Sequence, residues 1–260
     1  MSVGQENRNV ILWRLGEIEA KHAVRIVYAC ESGSRAWGFP SRDSDYDVRF
    51  LYLRPREWYL SIRRGRDVIE EPILDEYDIN GWDLKKALGL LYKSNPPLFE
   101  WLGSPIVYLE RTSVPEDLRG IAPRFYSRRN CLAHYFHMAE NNLRAYLRGD
   151  TVRTKKYFYV LRPVLAMQWI ERGLGVVPTD FRVLVRRLVK DPVLLRDINS
   201  LMREKRSGAE LRSGPRIESI SSFIESEIER FGAQARRREE RPPIAELDGF
   251  FLRALDDGWK

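Results

Sequence analysis

The sequence predicts an α+β fold: a mixed sheet with helices over residues 1–112, followed by an α-helical domain over residues 113–260. Two observations lead there. In the first part, short β-branched and aromatic runs alternate with stretches of helical spacing. Some of these runs are separated by a helix and others by tight turns, the pattern of a mixed sheet. Beyond Val114-Pro115 the chain shows helix periods and few strand signals.

The elements follow in order. Residues Glu6 to His22 carry Val10, Ile11, Leu15 and Ile18 at helix spacing, with a charged opposite face. Ala23 to Ala29 is short, β-branched and aromatic, which reads as a strand. Asp47 to Leu53 is a second strand with partial alternation, ended by Pro55. Asp67 to Ile73 and Asp75 to Asn80 make a third strand and its surroundings, in the form of a hairpin. Gly81-Trp82-Asp83 then opens a helix over Leu84 to Lys93, with Asp83 as its N-cap. Ser94-Asn95-Pro96-Pro97 interrupts it, and a short helix around Leu98 to Leu102 follows. In the second domain, 127–148, 153–172, 179–189, 191–206 and 217–231 read as helices, with stops at Arg172-Gly173-Leu174-Gly175 and Ser207-Gly208. Pro163 either kinks the second of these or starts a new helix. The run from Arg236 to Pro243 reads as a solvated helix end and linker, and a last helix docks through Phe250, Phe251 and Leu255.

A chain of 260 residues with 43% hydrophobic side chains buries a sizeable core and is not of the disordered class. Its formal charge of +7 favours a polyanionic partner, a nucleic acid or a nucleotide. The two cysteines, Cys30 and Cys131, lie far apart with no Cys-x-x-Cys pattern, which excludes a disulfide framework. No apolar run approaches the roughly 20 residues of a membrane span. No basic segment followed by an apolar one opens the chain, so a soluble, cytoplasmic protein without a membrane partner is expected.

The chemistry concentrates between Gly33 and Val48. Asp45 and Asp47 lie two apart at the start of a strand, so their carboxylates share one face while Tyr46 and Val48 take the other. Two adjacent carboxylates repel each other unless a cation lies between them. Mg²⁺ suits one or two carboxylates plus substrate phosphate oxygens, and a metal pair activates an attacking oxygen and stabilises a leaving pyrophosphate. Eleven residues before Asp45, the Gly33-Ser34 turn offers a tight backbone and a hydroxyl at the start of a short helix, a setting suited to phosphate. Arg35 and Arg42 stand near that turn as candidate phosphate or nucleic-acid contacts, and Asp43 reads as a turn residue. Further on, Lys155, Tyr159 and Arg162 sit at helical spacing, with Lys156 beside them. Lys155 and Arg162 are two cations that neutralise phosphate, and an aromatic ring stacks on a base. His134 and His137 have no clear complementary ligand and read as packed or capping residues. The runs Lys205 to Glu210 and Arg236 to Arg238 read as solvated charge. Cys131 has no base partner, and neither a nucleophile elbow nor a P-loop is present.

Gly33-Ser34 followed by Asp45-Tyr46-Asp47-Val48 resembles the core motif of the DNA polymerase β superfamily of nucleotidyltransferases. The longer strings Glu31-Ser32-Gly33-Ser34-Arg35-Ala36-Trp37-Gly38 and Ser44 to Arg49 are similar to a bacterial and phage branch of that superfamily associated with RNA ligases and RNA repair. Gly81-Trp82-Asp83-Leu84-Lys85-Lys86-Ala87 and Ser94-Asn95-Pro96-Pro97 share this similarity, which extends over residues 6 to about 230. The resemblance implies a nucleotidyltransferase-type sheet in a catalytic domain over 1–112 and a nucleotide- and substrate-binding helical domain over 113–260. It implies Asp45 and Asp47 as ligands of Mg²⁺ (or Mn²⁺), and a third carboxylate, also a metal ligand, that activates the incoming hydroxyl. Asp78, in Tyr77-Asp78-Ile79, fits that place best; Asp83 competes but reads as a cap, and Asp75 and Glu76 are further options. It also implies that Lys155, Tyr159 and Arg162 meet an NTP substrate. The expected reaction is transfer of NMP from NTP to a hydroxyl with release of pyrophosphate, the acceptor being the 3′ end of a tRNA or a broken RNA. A protein or small-molecule acceptor, and a non-catalytic nucleotide- or RNA-binding module, are the alternatives.

Overall fold

The computed structural model describes residues 3–41, 43–63, 65–207, 213–233 and 241–259. Helix α1 (Gln5–His22) buries Ile11, Leu15 and Ile18, one stripe at spacings of four and three. It ends at Ala23 in the left-handed region, φ 49°, whose N–H donates to the Glu19 carbonyl. The chain then enters β1 (Arg25–Glu31), buried at every position but the first. A single helical turn, α2 (Gly33–Ala36), precedes β2 (Tyr46–Leu53), and α3 (Arg56–Leu60) begins after Pro55. The hairpin read from the sequence is β3 (Val68–Glu70) antiparallel to β4 (Tyr77–Asp83). Next come α4 (Leu84–Tyr92), α5 (Pro96–Leu102), β5 (Val107–Glu110) and α6 (Val114–Ile121). Asp83 caps α4, accepting from the Lys85 backbone N–H at 2.8 Å.

The sheet order is β3-β4-β2-β1-β5. Only the β2–β4 pair is parallel; β1–β2, β1–β5 and β3–β4 are antiparallel, so the sheet is mixed. One face of it, carrying Ile26, Tyr46, Val48, Phe50, Tyr77 and Ile79, packs with the buried stripe of α1. This leaves the alternate residues of β2 and β4, Asp47, Arg49, Asp78 and Asn80, on the other face.

The remaining elements are α7 (Arg128–Tyr146), β6 (Thr151–Arg153), α8 (Tyr157–Glu171), α9 (Phe181–Leu188), α10 (Pro192–Arg206), β7 (Ser213–Pro215), α11 (Glu218–Gly232) and α12 (Ala245–Gly258). Helix α8 is apolar nearly all round and is packed by α7, α9 and α11. Pro163 lies buried inside α8, which runs on to Glu171. No described helix is long and apolar enough to cross a membrane.

The chain forms two compact units, and they divide it differently from 1–112 and 113–260. The first comprises Met1–Ala36, Asp45–Tyr126 and Glu240–Lys260; the second comprises Trp37–Ser44 and Ser127–Glu239. A helical period shows that a segment buries one face but not which core receives it. Helix α6 packs on β1. Helix α12 returns to the first unit through buried Phe250 and Leu255, an edge-on contact of Phe251 with Tyr59, and the Trp259 indole N–H, which donates to the Arg54 carbonyl at 3.0 Å. Conversely, Phe39 belongs to the second unit, stacked 4.4 Å from Phe158 and edge-on to Phe181. The spacer between the Gly-Ser turn and the aspartates is therefore a core anchor of the second unit.

Candidate functional site

Strands β2 and β4 run parallel in a register that sets Asp47 directly opposite Asp78. The neighbouring pair, Tyr46 opposite Tyr77, holds that register on the other face. Their rings stack 5.2 Å apart, and Asn7 of α1 bridges the two hydroxyls, donating to Tyr46 and accepting from Tyr77 at 2.7 Å each. A slip of either strand by one residue would turn its carboxylate toward the α1 core, so burial and these bonds act together to fix the pair.

Arg49 shares the face. One of its terminal nitrogens lies 2.7 Å from Asp78 Oδ2 and 3.4 Å from Asp47 Oδ1; the other donates to the Asp78 and Val48 carbonyls. Asn80 donates to Asp78 Oδ1 at 2.5 Å. The guanidinium thus supplies the positive charge that two facing carboxylates require.

The Gly33-Ser34 turn closes against Asp47. Gly33 has φ +57°, and a Cβ there would lie 2.0 Å from Asp47 Oδ2 and 2.7 Å from its Cγ. Glycine is therefore required twice, by backbone conformation and by the approach of the carboxylate. The Ser32 N–H also donates to the Asp47 carbonyl at 2.8 Å. At the end of β1, Glu31 is 0% exposed. Its Oε1 accepts from the Asp47 backbone N–H at 2.9 Å, and its Oε2 accepts from the Tyr108 hydroxyl. Burial pushes the Glu31 carboxyl up to about 7, against those two hydrogen bonds.

The other candidate carboxylates lie outside this facing pair. Asp83 is 1% exposed, accepts from the Tyr59 hydroxyl as well as the Lys85 N–H, and has its carboxyl raised by burial. Asp75 is ion-paired with Arg14 at 3.1 Å, Glu76 accepts the Tyr46 N–H through its carbonyl, and Asp43 stands in an exposed turn. Asp45 is exposed just before β2, and its carbonyl accepts from Arg35 Nε at 3.3 Å. The Arg35 guanidinium lies 3.8 Å from the centre of the Tyr46 ring. Ser34 is half-buried in α2, and Arg42 lies outside the described residues.

In the second unit, α8 starts only at Tyr157, so Lys155 falls in the 3-10 turn Thr154–Lys156 ahead of it. The expected single face of Lys155, Tyr159 and Arg162 therefore does not form. Lys155 is exposed, and Lys156 sits over the rings of Tyr146 and Tyr159 at 4.1 and 4.7 Å. Tyr159 is 44% exposed, whereas Arg162 is 2% exposed and lies 4.9 Å from the Trp37 ring centre. His134 and His137 lie on α7 in edge-on contacts with Tyr135 and Phe136. Both thiols are buried, and burial pushes Cys30 up to about 12, far from a reactive thiolate. Gly208 to Glu210 and Arg236 to Arg238 lie outside the described residues.

Three of the site's components went unread in the sequence. Arg49 and Asn80 had a signal, since each lies two residues past an aspartate and so shares its face. Tyr108 had none, because it reaches Glu31 from 77 residues away. Among the described residues, no group of three or more His, Cys, Asp or Glu side chains is arranged to hold a metal ion. A facing pair of carboxylates still suits Mg²⁺, which takes one or two such ligands and completes its octahedron with phosphate oxygens and water.

Comparison with known proteins adds to this geometry. Residues 8–253 match the family described as RNA repair pathway DNA polymerase beta family, RlaP. The chain is 49% identical over 252 residues to Uncharacterized protein YcgL of Bacillus subtilis (strain 168), covering 96% of this chain and 97% of that one. A solved structure of a nucleotidyltransferase-like protein from Exiguobacterium sibiricum 255-15 aligns over 93% of this chain and 86% of that one, at 14% identity and a TM-score of 0.29, a likeness too loose to argue from. The family match spans nearly the whole sequence, Gly-Ser turn and aspartates included, and the chain belongs to the RNA repair pathway DNA polymerase beta family.

Proposed function

We propose that the protein is a nucleotidyltransferase that moves NMP from an NTP to the 3′-hydroxyl of an RNA, releasing pyrophosphate. The observation that carries this reading is the Asp47–Asp78 pair, facing across β2 and β4 with the Gly33 turn closed on Asp47. Asp47 and Asp78, with Asp45, would hold Mg²⁺ or Mn²⁺. When bound, such an ion neutralises phosphate charge and favours ionisation of the attacking hydroxyl.

The chain's own groups have separate tasks in this reading. Asp78 takes the proton of the acceptor hydroxyl as its oxygen bonds to the α-phosphorus and the bond to the pyrophosphate oxygen breaks. The Gly33-Ser34 turn seats phosphate oxygens beside Asp47, with Arg35 as a cation of the same segment; Arg42, outside the described residues, is kept as a candidate phosphate contact from the sequence alone. Arg49 keeps the carboxylates compensated and ordered. Lys155, Lys156 and Tyr159 are assigned to nucleotide binding on the second unit, where cations and an aromatic ring suit a triphosphate and a base; Arg162, buried against Trp37, is left out of that assignment. RNA as acceptor is supported by the net charge of +7 and by the family's description.

The test is incubation with α-labelled NTPs, Mg²⁺ and a panel of acceptors. Label on RNA in the wild type, lost in Asp47→Asn and Asp78→Asn, supports the reading. Label on a protein or small molecule with none on RNA replaces the acceptor. Tight NTP binding with no pyrophosphate release from any acceptor assigns a non-catalytic module.

A further inference from the structure

Helices α9 and α10 flank an open pocket of about 560 Å³ in the second unit. Three arginines line it, Arg182, Arg186 and Arg206, and among the described residues no acidic one does. Val189, Leu195 and Met202 give it an apolar floor, and Asn199 adds an amide. From Phe181 to Arg206 the chain carries eight Lys and Arg against three Asp and Glu, a net +5 of the whole protein's +7.

The acids of this segment are directed elsewhere. Asp191 caps α10 through the Leu194 N–H, Asp197 binds Arg196 and Ser219, and Glu204 accepts from Ser200. Asp180 neutralises one of the three lining cations, gripping Arg182 with contacts of 2.5 to 3.0 Å. Arg206 donates to the Gly38 carbonyl at 2.8 Å, a neutral acceptor, and makes no ion pair among the described residues. Arg186 is exposed, makes no ion pair within 4 Å among the described residues, and contributes more weakly than Arg182 to lowering the Asp180 carboxyl. Two guanidinium charges therefore face the pocket, and the acid near them, Asp180, is already held by Arg182. Their planar forks match phosphate oxygens in pairs, and the apolar floor suits the face of a ribose or base.

We infer that this pocket anchors the phosphodiester backbone of the RNA acceptor, holding at least one phosphate between Arg186 and Arg206. The inference rests on the proposed function for the identity of the polyanion. It adds a binding site outside the Asp47–Asp78 pair and predicts sequence-tolerant, salt-sensitive binding.

The experiment measures anisotropy of a fluorescent single-stranded RNA with the full chain in the absence of NTP, so its readout stands or falls independently of transfer. Arg186→Glu is compared with Arg196→Glu, the same charge change on the exposed side of α10 outside the pocket. Both residues are exposed, and matching melting curves confirm both folds. The expected result is at least a tenfold weaker complex for Arg186→Glu and less than threefold for Arg196→Glu. Arg186→Ala should lower the slope of log K against log salt by about 0.7, the loss of one single-strand phosphate contact. Equal weakening by both glutamates, unchanged binding by Arg186→Glu, or poly-glutamate competing as well as RNA of equal charge would overturn the assignment. Absence of transfer in the wild type, with the Arg186 effect intact, counts against the proposed reaction and leaves the anchor standing.

Discussion

Gly33→Ala separates the geometry of the site from the stability of the fold. A Cβ at position 33 would lie 2.0 Å from Asp47 Oδ2, and ordinary contact begins at 3.4 Å, so the carboxylate must retreat by about 1.4 Å. An alanine at φ +57° also carries left-handed strain of about 1–2 kcal/mol. For a chain of this size that lowers the melting temperature by about 2–8 °C, too little to depopulate the folded state at 25 °C given a typical stability of about 5–15 kcal/mol. Misplacing a reacting group by about 1 Å costs on the order of 100-fold in rate. Initial rates of label transfer at 25 °C, read beside thermal melts, should show that loss of rate with only the modest loss of stability. A rate within about threefold of wild type, with the melting temperature lowered as expected, would show that Asp47 does not act from the position the turn imposes.

Two further outcomes follow from buried carboxyls. The Glu31 carboxyl titrates near 7 in the folded protein against 4.5 ordinarily, so the native state holds the extra proton between those values. Stability should therefore fall as pH rises from about 4.5 through 7, by at most about 3 kcal/mol. Glu31→Gln should flatten that slope in denaturant titrations at pH 5 and 8 in metal-free buffer. Asp83→Ala removes a helix cap and strands the Tyr59 hydroxyl, so urea unfolding should report a loss of about 2–4 kcal/mol. Asp78→Asn should reverse the pattern, with transfer down at least 100-fold and melting shifted by only a few degrees.

Alternation made much of the first unit legible. Val48, Phe50 and Tyr46 bury on one face of β2, which puts Asp47 on the other without reference to any contact. Asp83 was equally readable, because an aspartate before a helical stripe caps it. What remained hidden depends on distant segments. Glu31 sits in a run buried throughout, and nothing local shows that its carboxylate receives both the Asp47 N–H and Tyr108. Strand β5 has four residues at a sheet edge, too few for a period. Extending α8 back to residue 153 placed Lys155 on a face with Arg162; the helix begins at Tyr157, and its apolar surround buries Arg162 against Trp37. The unit boundaries were hidden for a related reason, since α6 and α12 have the same helical signature as the helices of the other unit.

In the proposed reaction Asp47 and Asp78 act together in NMP transfer. The most direct measurement uses each of the four α-labelled NTPs with Mg²⁺ and a single-stranded RNA bearing a free 3′-hydroxyl, comparing wild type with Asp47→Asn and Asp78→Asn. The wild type should give labelled RNA and stoichiometric pyrophosphate, both abolished by chelation of Mg²⁺ and by either substitution. Undiminished labelling by both variants would contradict this joint role.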